Sequence, residues 1–91
     1  MHAVAVAVNI AEGRSAEAQA MLESTIVQQV KQATGFVSGT WLRTPDGKFG
    51  YSLVLFDSKE HAEESAKTVE AAPEGPVSVV NVAVYEVVAQ A

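Results

Sequence analysis

The sequence predicts an α+β fold in the order β-α-β-β-α-β: a four-stranded antiparallel sheet with two helices on one face. Three observations predict it. Residues 2–10, HAVAVAVNI, alternate with period two. Residues 15–33 and 58–72 carry apolar side chains at steps of three and four. Between those helices, GTWLRTPDGKFGYSLVLF reads as strand, tight turn and strand. Each helix then bridges two strands, and right-handed crossovers of this kind give the split-βαβ, ferredoxin-like sheet.

Each element has its own signal. In the first strand Val4, Val6, Val8 and Ile10 form a bulky side, and Ala3, Ala5, Ala7 and Asn9 a small one. Ser15 is the expected N-cap of the first helix, with Glu17 in its first turn. Ala18, Leu22, Ile26, Val30 and Ala33 make its apolar stripe, and Gly35 is the expected left-handed stop. The second strand runs over 36–44. Pro45, Asp46 and Gly47 suit a type I turn followed by a left-handed residue. That three-residue loop pairs Thr44 with Lys48, Trp41 with Tyr51 and Thr40 with Ser52. The third strand ends at Phe56. In DSKE, Asp57 is the expected cap and Glu60 reaches back to it. Ala62, Ala66 and Val69 line the second helix, AAPEGP stops it, and 77–88, VSVVNVAVYEVV, is the last strand.

Composition narrows the function classes. Ninety-one residues, without linkers or repeats, are expected to form one domain, 1–91. The net charge is −5 and the six Lys and Arg are scattered, so no basic footprint for nucleic acid exists. There is no cysteine, hence no disulfide and no thiolate chemistry, which fits a cytoplasmic location. MHAVAVAVNI has no basic n-region and alternates, so it is not expected to be a signal peptide. No apolar run approaches the roughly 20 residues of a membrane span.

Two helices cover only one face of the sheet. The expected packing for them is Val4, Val6 and Val8 with Tyr51, Leu53, Leu55 and Trp41. The other face then carries Ala3, Ala5, Ala7 and Asn9, next Phe36, Ser38, Thr40 and Leu42, next Gly50, Ser52, Val54 and Phe56. The last strand adds either Val80, Val82 and Val84 or Val79, Asn81 and Tyr85. Such a face exceeds the apolar patch a soluble monomer usually exposes. The expectation is a homodimer, packed sheet on sheet through the open face. Small residues at its centre leave a mostly apolar pocket for a small ligand.

GFVSGTWLR, YSLVLFDSKEHAEESA and VAVYEVV resemble the dimeric α+β-barrel superfamily, in particular the antibiotic-biosynthesis-monooxygenase-type proteins. The resemblance covers almost the whole chain. It implies a dimer and an activity drawn from a wide set: cofactor-independent oxygenation of aromatics, heme degradation, isomerisation or none. The heme-degrading branch uses an Asn, a Trp and a His. Asn9 matches the first, the Trp position carries Phe56, and His61 falls early in the second helix. No cofactor is expected.

Candidate residues follow. His61 reads as a helix-surface histidine or as a general base, and Asn9 as a strand-end amide or as an oxyanion-stabilising one; these two are the catalytic candidates. Ser38, Thr40 and Ser52 form a hydroxyl cluster in the expected register, and with Phe36 and Phe56 they are the candidate substrate-binding residues. Trp41, Phe49 and Tyr51 read as core aromatics. Glu60, Glu63 and Glu64 read as a solvated helix face, and His61 with Glu64 alone is no metal site, so no metal is expected. The leading expectation is a cofactor-independent, monooxygenase-like enzyme acting on a small apolar or aromatic, enolisable molecule. The alternatives are a non-catalytic ligand-binding or regulatory module, like the similarly wound ACT domains, and a purely structural dimer.

Overall fold

A computed structural model describes residues 1–72 and 75–91. Pro73 and Glu74, within the segment expected to stop the second helix, lie outside the described residues. The elements are β1 (His2–Ile10), α1 (Ser15–Met21), α2 (Val27–Lys31), β2 (Phe36–Arg43), β3 (Phe49–Phe56), α3 (Lys59–Glu70) and β4 (Val77–Glu86). The strands form one antiparallel sheet in the order β2-β3-β1-β4. This is the ferredoxin-like arrangement expected from the order of elements.

A π-helical turn, Leu22–Ile26, joins α1 to α2 without a break, since the flanking residues keep right-handed helical dihedrals. There the Ser24 hydroxyl donates to the Ala20 carbonyl at 2.8 Å. Such back-bonding competes with the regular ladder and favours a wider turn. Ser15 is the first residue of α1 and not its cap: Arg14 holds the cap position, and the Ser15 hydroxyl instead accepts from Arg43. Gly35 ends the helix at φ 81°, a conformation that disfavours any residue with a Cβ. The cap of α3 also falls one residue from expectation. Ser58 Oγ accepts the His61 backbone N–H at 3.3 Å, which leaves the Asp57 carboxylate free.

The core lies between sheet and helices. Val4, Val6, Val54 and Phe56 are buried there against Ala62 and Ala66 of α3, with Val8, Val30, Ala33, Phe36, Trp41, Val69, Val82 and Val84 packed around them. The two alanines let α3 approach closely, and it packs chiefly along β4 and β1. The first helix meets the sheet mainly where α2 reaches β2.

The β2–β3 register corrects the expected faces. Thr44 pairs with Phe49, not Lys48: its backbone N–H donates to the Phe49 carbonyl at 2.9 Å. Trp41 therefore stands opposite Ser52, and Leu42 opposite Tyr51. Because side chains alternate faces, a slip of one residue exchanges the two sides of a strand. Tyr51, Leu53 and Leu55 point away from the helices. Ser52 and Phe56, expected on the open face, lie beneath the helices: Phe56 is 0% exposed, and Ser52 stands between Val6 and Trp41. Phe36 joins them, because a bulge between Phe36 and Ser38 turns it to face the same side as Phe56. A second irregularity leaves Val80 without a partner on β1. It sends Val82 and Val84 to the core, and Asn81, Ala83 and Tyr85 to the open face.

Candidate functional site

The uncovered face reads across the sheet in rows. The central rows are Leu42–Tyr51–Ala7–Asn81, Thr40–Leu53–Ala5–Ala83 and Ser38–Leu55–Ala3–Tyr85, and in the last of these Leu55 and Ala3 are buried. At one end Asn9 stands between Phe49 and Ser78. None of these residues is acidic or basic. Leu42, Phe49, Tyr51, Leu53 and Tyr85 are exposed, and Leu42 reaches 60%. The alanines of β1 lie between the large side chains of β3 and, on β4, Asn81, Ala83 and Tyr85. Of the expected ligand-binding residues, Ser38 and Thr40 belong to this face, and Asn9 lies at its end.

His61 is elsewhere. It opens α3, beyond the end of β3 at which Phe56 pairs with His2. Asn9 is at the other end of β1, seven residues on and about 23 Å away along the strand. It also faces the opposite side of the sheet. The structure does not bring Asn9 and His61 into one site.

What the structure joins to His61 is Asp57. The imidazole Nδ1 lies 2.6 Å from Asp57 Oδ1, and the His61 side chain is 31% exposed. The shared hydrogen bond is the main cause of two shifts: it holds the imidazole above its ordinary 6.5 and the carboxyl below its ordinary 3.8. Glu64 and Glu60 also favour the imidazolium, and burial opposes it. Gly35 closes the arrangement from beneath. Its carbonyl accepts the Asp57 backbone N–H at 2.9 Å, and a Cβ at this position would collide with both His61 Nδ1 and Asp57 Oδ1. Neither Asp57 nor Gly35 was expected in a site. The spacing DSKEH, an Asp four residues before a His at a helix start, carries the signal.

Two shallow grooves flank α3. One, of about 350 Å³, is lined by Glu60, His61, Glu63, Glu64 and Lys67. The other, of about 540 Å³, is lined by His2, Lys59, Glu63, Val84 and Glu86, and the Nδ1 of His2 is buried without a hydrogen-bond partner among the described residues. Among the described residues no three His, Asp or Glu side chains are placed to hold a metal ion. No described helix is long and apolar enough to cross a membrane.

The order of elements and the single antiparallel sheet define a protein of ferredoxin-like fold with one sheet face bare of helices. No family model matches the chain, and no curated protein matches its sequence. Solved structures match its fold. MhuD, a heme-degrader of Mycobacterium tuberculosis with two hemes bound in its active site, superposes with a TM-score of 0.74 at 16% identity, over 100% of this chain and 99% of that one. Rv0793 of the same organism gives 0.58 at 15%, over 100% and 99%. The monooxygenase ActVA-Orf6 of Streptomyces coelicolor, in complex with nanaomycin D, gives 0.56 at 16%, over 98% and 91%. At these identities the likeness is one of fold.

Proposed function

We propose that two copies of this chain pack through their uncovered sheet faces and act as a monooxygenase-like enzyme on a small neutral, aromatic and enolisable molecule. The observation that carries the reading is the face itself: four strands wide, rich in exposed Leu, Phe and Tyr, and, among the described residues, free of acidic and basic side chains. Leaving it in water is unfavourable, and a second copy is the partner always present. The oxygenase reading rests on the fold shared with MhuD and ActVA-Orf6.

Heme does not fit the residues present. Asn9 and His61 lie on opposite sides and at opposite ends of β1, and Phe56 is sealed in the core. The proposed reaction uses the substrate's own electrons instead. An activated methylene reacts through its enol: the enol O–H gives its proton to a base, and the resulting carbanion reduces dioxygen. One oxygen atom ends in the carbonyl that replaces the methylene. The other leaves as water, carrying both methylene hydrogens, so that one methylene and one dioxygen give one carbonyl and one water. His61, held by Asp57, is the base in this scheme and meets the substrate in the groove along α3, on the helix side of the sheet; Asn9, Ser38 and Thr40 belong to the paired face and take no part in the proton transfer. A non-catalytic ligand-binding dimer is the second reading. The separation of Asn9 from His61 favours it, since the amide expected to stabilise an oxyanion does not stand beside the imidazole.

Sedimentation at micromolar concentration, joined to oxygen uptake with anthrone as an enolisable arene, tests the proposal. The expected result is a dimer whose uptake exceeds the buffer rate and falls to it in His61→Gln. A dimer without uptake leaves the binding reading; a monomer removes both.

A further inference from the structure

The Asp57–His61 pair has a chemical polarity that the geometry sets. An ionised carboxylate only accepts hydrogen bonds. Asp57 titrates below the ordinary carboxylate range, so near neutral pH its Oδ1, 2.6 Å from His61 Nδ1, faces an N–H. In a neutral imidazole the other nitrogen then carries a lone pair. The ring is held by Asp57 and lies against Gly35, where an added Cβ would strike Nδ1, while Ser58 caps the His61 backbone N–H.

The surroundings select a ligand. His61 borders a groove with Glu60, Glu63 and Glu64 and a single cation, Lys67, all on α3; Asp57 faces it from the β3–α3 junction, and Gly35, from the α2–β2 junction, adds no charge. Three carboxylates against one ammonium repel an anion and tolerate a neutral molecule or a cation.

We propose that Asp57 is a positioning residue that holds His61 as its Nδ1–H tautomer, so that the bare Nε2 accepts a hydrogen bond, and then the proton, from a neutral phenolic or enolic O–H lying in this groove. This rests on the function proposed above and names the atom of His61 that works in it. In the transfer the O–H bond breaks and the Nε2–H bond forms. The electron pair stays on the substrate oxygen, and the resulting imidazolium is paired with Asp57.

Long-range 1H–15N correlation spectra of the full chain, at a pH of about 8.5 where an imidazole is mostly neutral, read the tautomer without turnover. His61→Gln assigns the resonances apart from those of His2. The expected wild-type spectrum has a protonated Nδ1 and a bare Nε2. In Asp57→Ala the ring moves toward the Nε2–H form, while in Ser58→Ala, which loses only the cap, it keeps the wild-type tautomer. An Nε2–H tautomer in the wild type, or a ring unchanged by Asp57→Ala, overturns the positioning role. Phenol, added to the wild type, is expected to shift Nε2, and benzoate is not. Equal shifts from both, or none from phenol, overturn the ligand class. Because these readouts need no reaction, loss of the oxygenase reading leaves the tautomer standing. A wrong tautomer removes His61 as the base and leaves the dimer untouched.

Discussion

Thr44 closes the β2–β3 hairpin against Phe49 with both its backbone and its side chain. Its N–H donates to the Phe49 carbonyl at 2.9 Å, and its hydroxyl oxygen accepts the Phe49 N–H at 3.1 Å. The same hydroxyl donates to Asp46 Oδ1 at 2.6 Å, and that oxygen also takes the Lys48 N–H at 3.0 Å. The Thr44 carbonyl is occupied by Gly47, so a side chain does the work of a backbone acceptor. Thr44→Val keeps the shape and β-propensity of the residue but strands the Phe49 N–H. The expected cost is about 1 kcal/mol in urea unfolding. No change in midpoint would mean that the hydroxyl does not set the loop.

That register decides which residues of β3 hold the molecule together. Phe56 is 0% exposed and Leu53 is 45% exposed. Phe56→Ala is expected to destabilise by about 3–5 kcal/mol, the range for a large aromatic removed from a core. Leu53→Ala is expected to cost less than about 1 kcal/mol in the chain diluted until it sediments as a monomer. The reverse ranking in equilibrium unfolding would restore the register slipped by one residue.

The same strand shows why part of the fold is legible in the sequence and part is not. Order and strand count follow from periodicity, and β1 sorts itself, since valine and alanine alternate and the larger set seeks the core. On β3 both parities are apolar, so only the loop length separates them. Pro45, Asp46 and Gly47 suit a three-residue loop, and the extra residue enters through side-chain bonds from Thr44 and Asp46 that no spacing rule displays. The bulge that turns Phe36 inward is equally silent. At the candidate site, parity places Asn9, Ser38 and Thr40 on the uncovered face. The partnership of His61 is hidden because Asp57 and Ser58 are both good caps. Once Ser58 takes that role, the carboxylate is free for the imidazole.

A charge on the uncovered face tests the proposed dimer. Leu53 sits in the middle row, between Thr40 and Ala5, so Leu53→Glu would bury a carboxylate against the partner's apolar surface. In the isolated chain it remains solvated and the fold is retained. The expected result is a monomer by sedimentation, with dissociation strengthened about a hundredfold or more and an unaltered far-ultraviolet spectrum. A variant that sediments like the wild type would place the contact elsewhere.

Proton linkage at the Asp57–His61 pair gives stability a maximum in weak acid. His61 titrates above its ordinary 6.5 in the folded chain, so its contribution is complete below that value and is lost as pH rises through the folded one. Asp57 titrates below its ordinary 3.8, so its contribution is present above 3.8 and is lost as pH falls through the folded value. Both are in force between 3.8 and 6.5. Thermal midpoints measured across this range are expected to fall on its alkaline side in the wild type and to lose that fall in His61→Gln. A His61→Gln profile that keeps the alkaline fall would assign it to other groups.

Trp41 offers a reporter on the helix-covered face, because it is the only tryptophan. Its six-membered ring lies over Gly39, two residues earlier on the same side of β2. A Cβ built on Gly39 would approach Trp41 Cη2 to 2.7 Å and Cζ3 to 2.8 Å. Real contacts of that kind do not reach such distances, and a rigid indole cannot yield as a flexible chain end can. Gly39→Ala must therefore tilt the ring away from β2 and loosen its packing against the core. Overpacking of this sort costs about 1–3 kcal/mol. The emission maximum is expected to move to longer wavelength as the indole gains water, together with a lower urea midpoint. Unchanged emission with unchanged stability would show that the indole does not rest on Gly39.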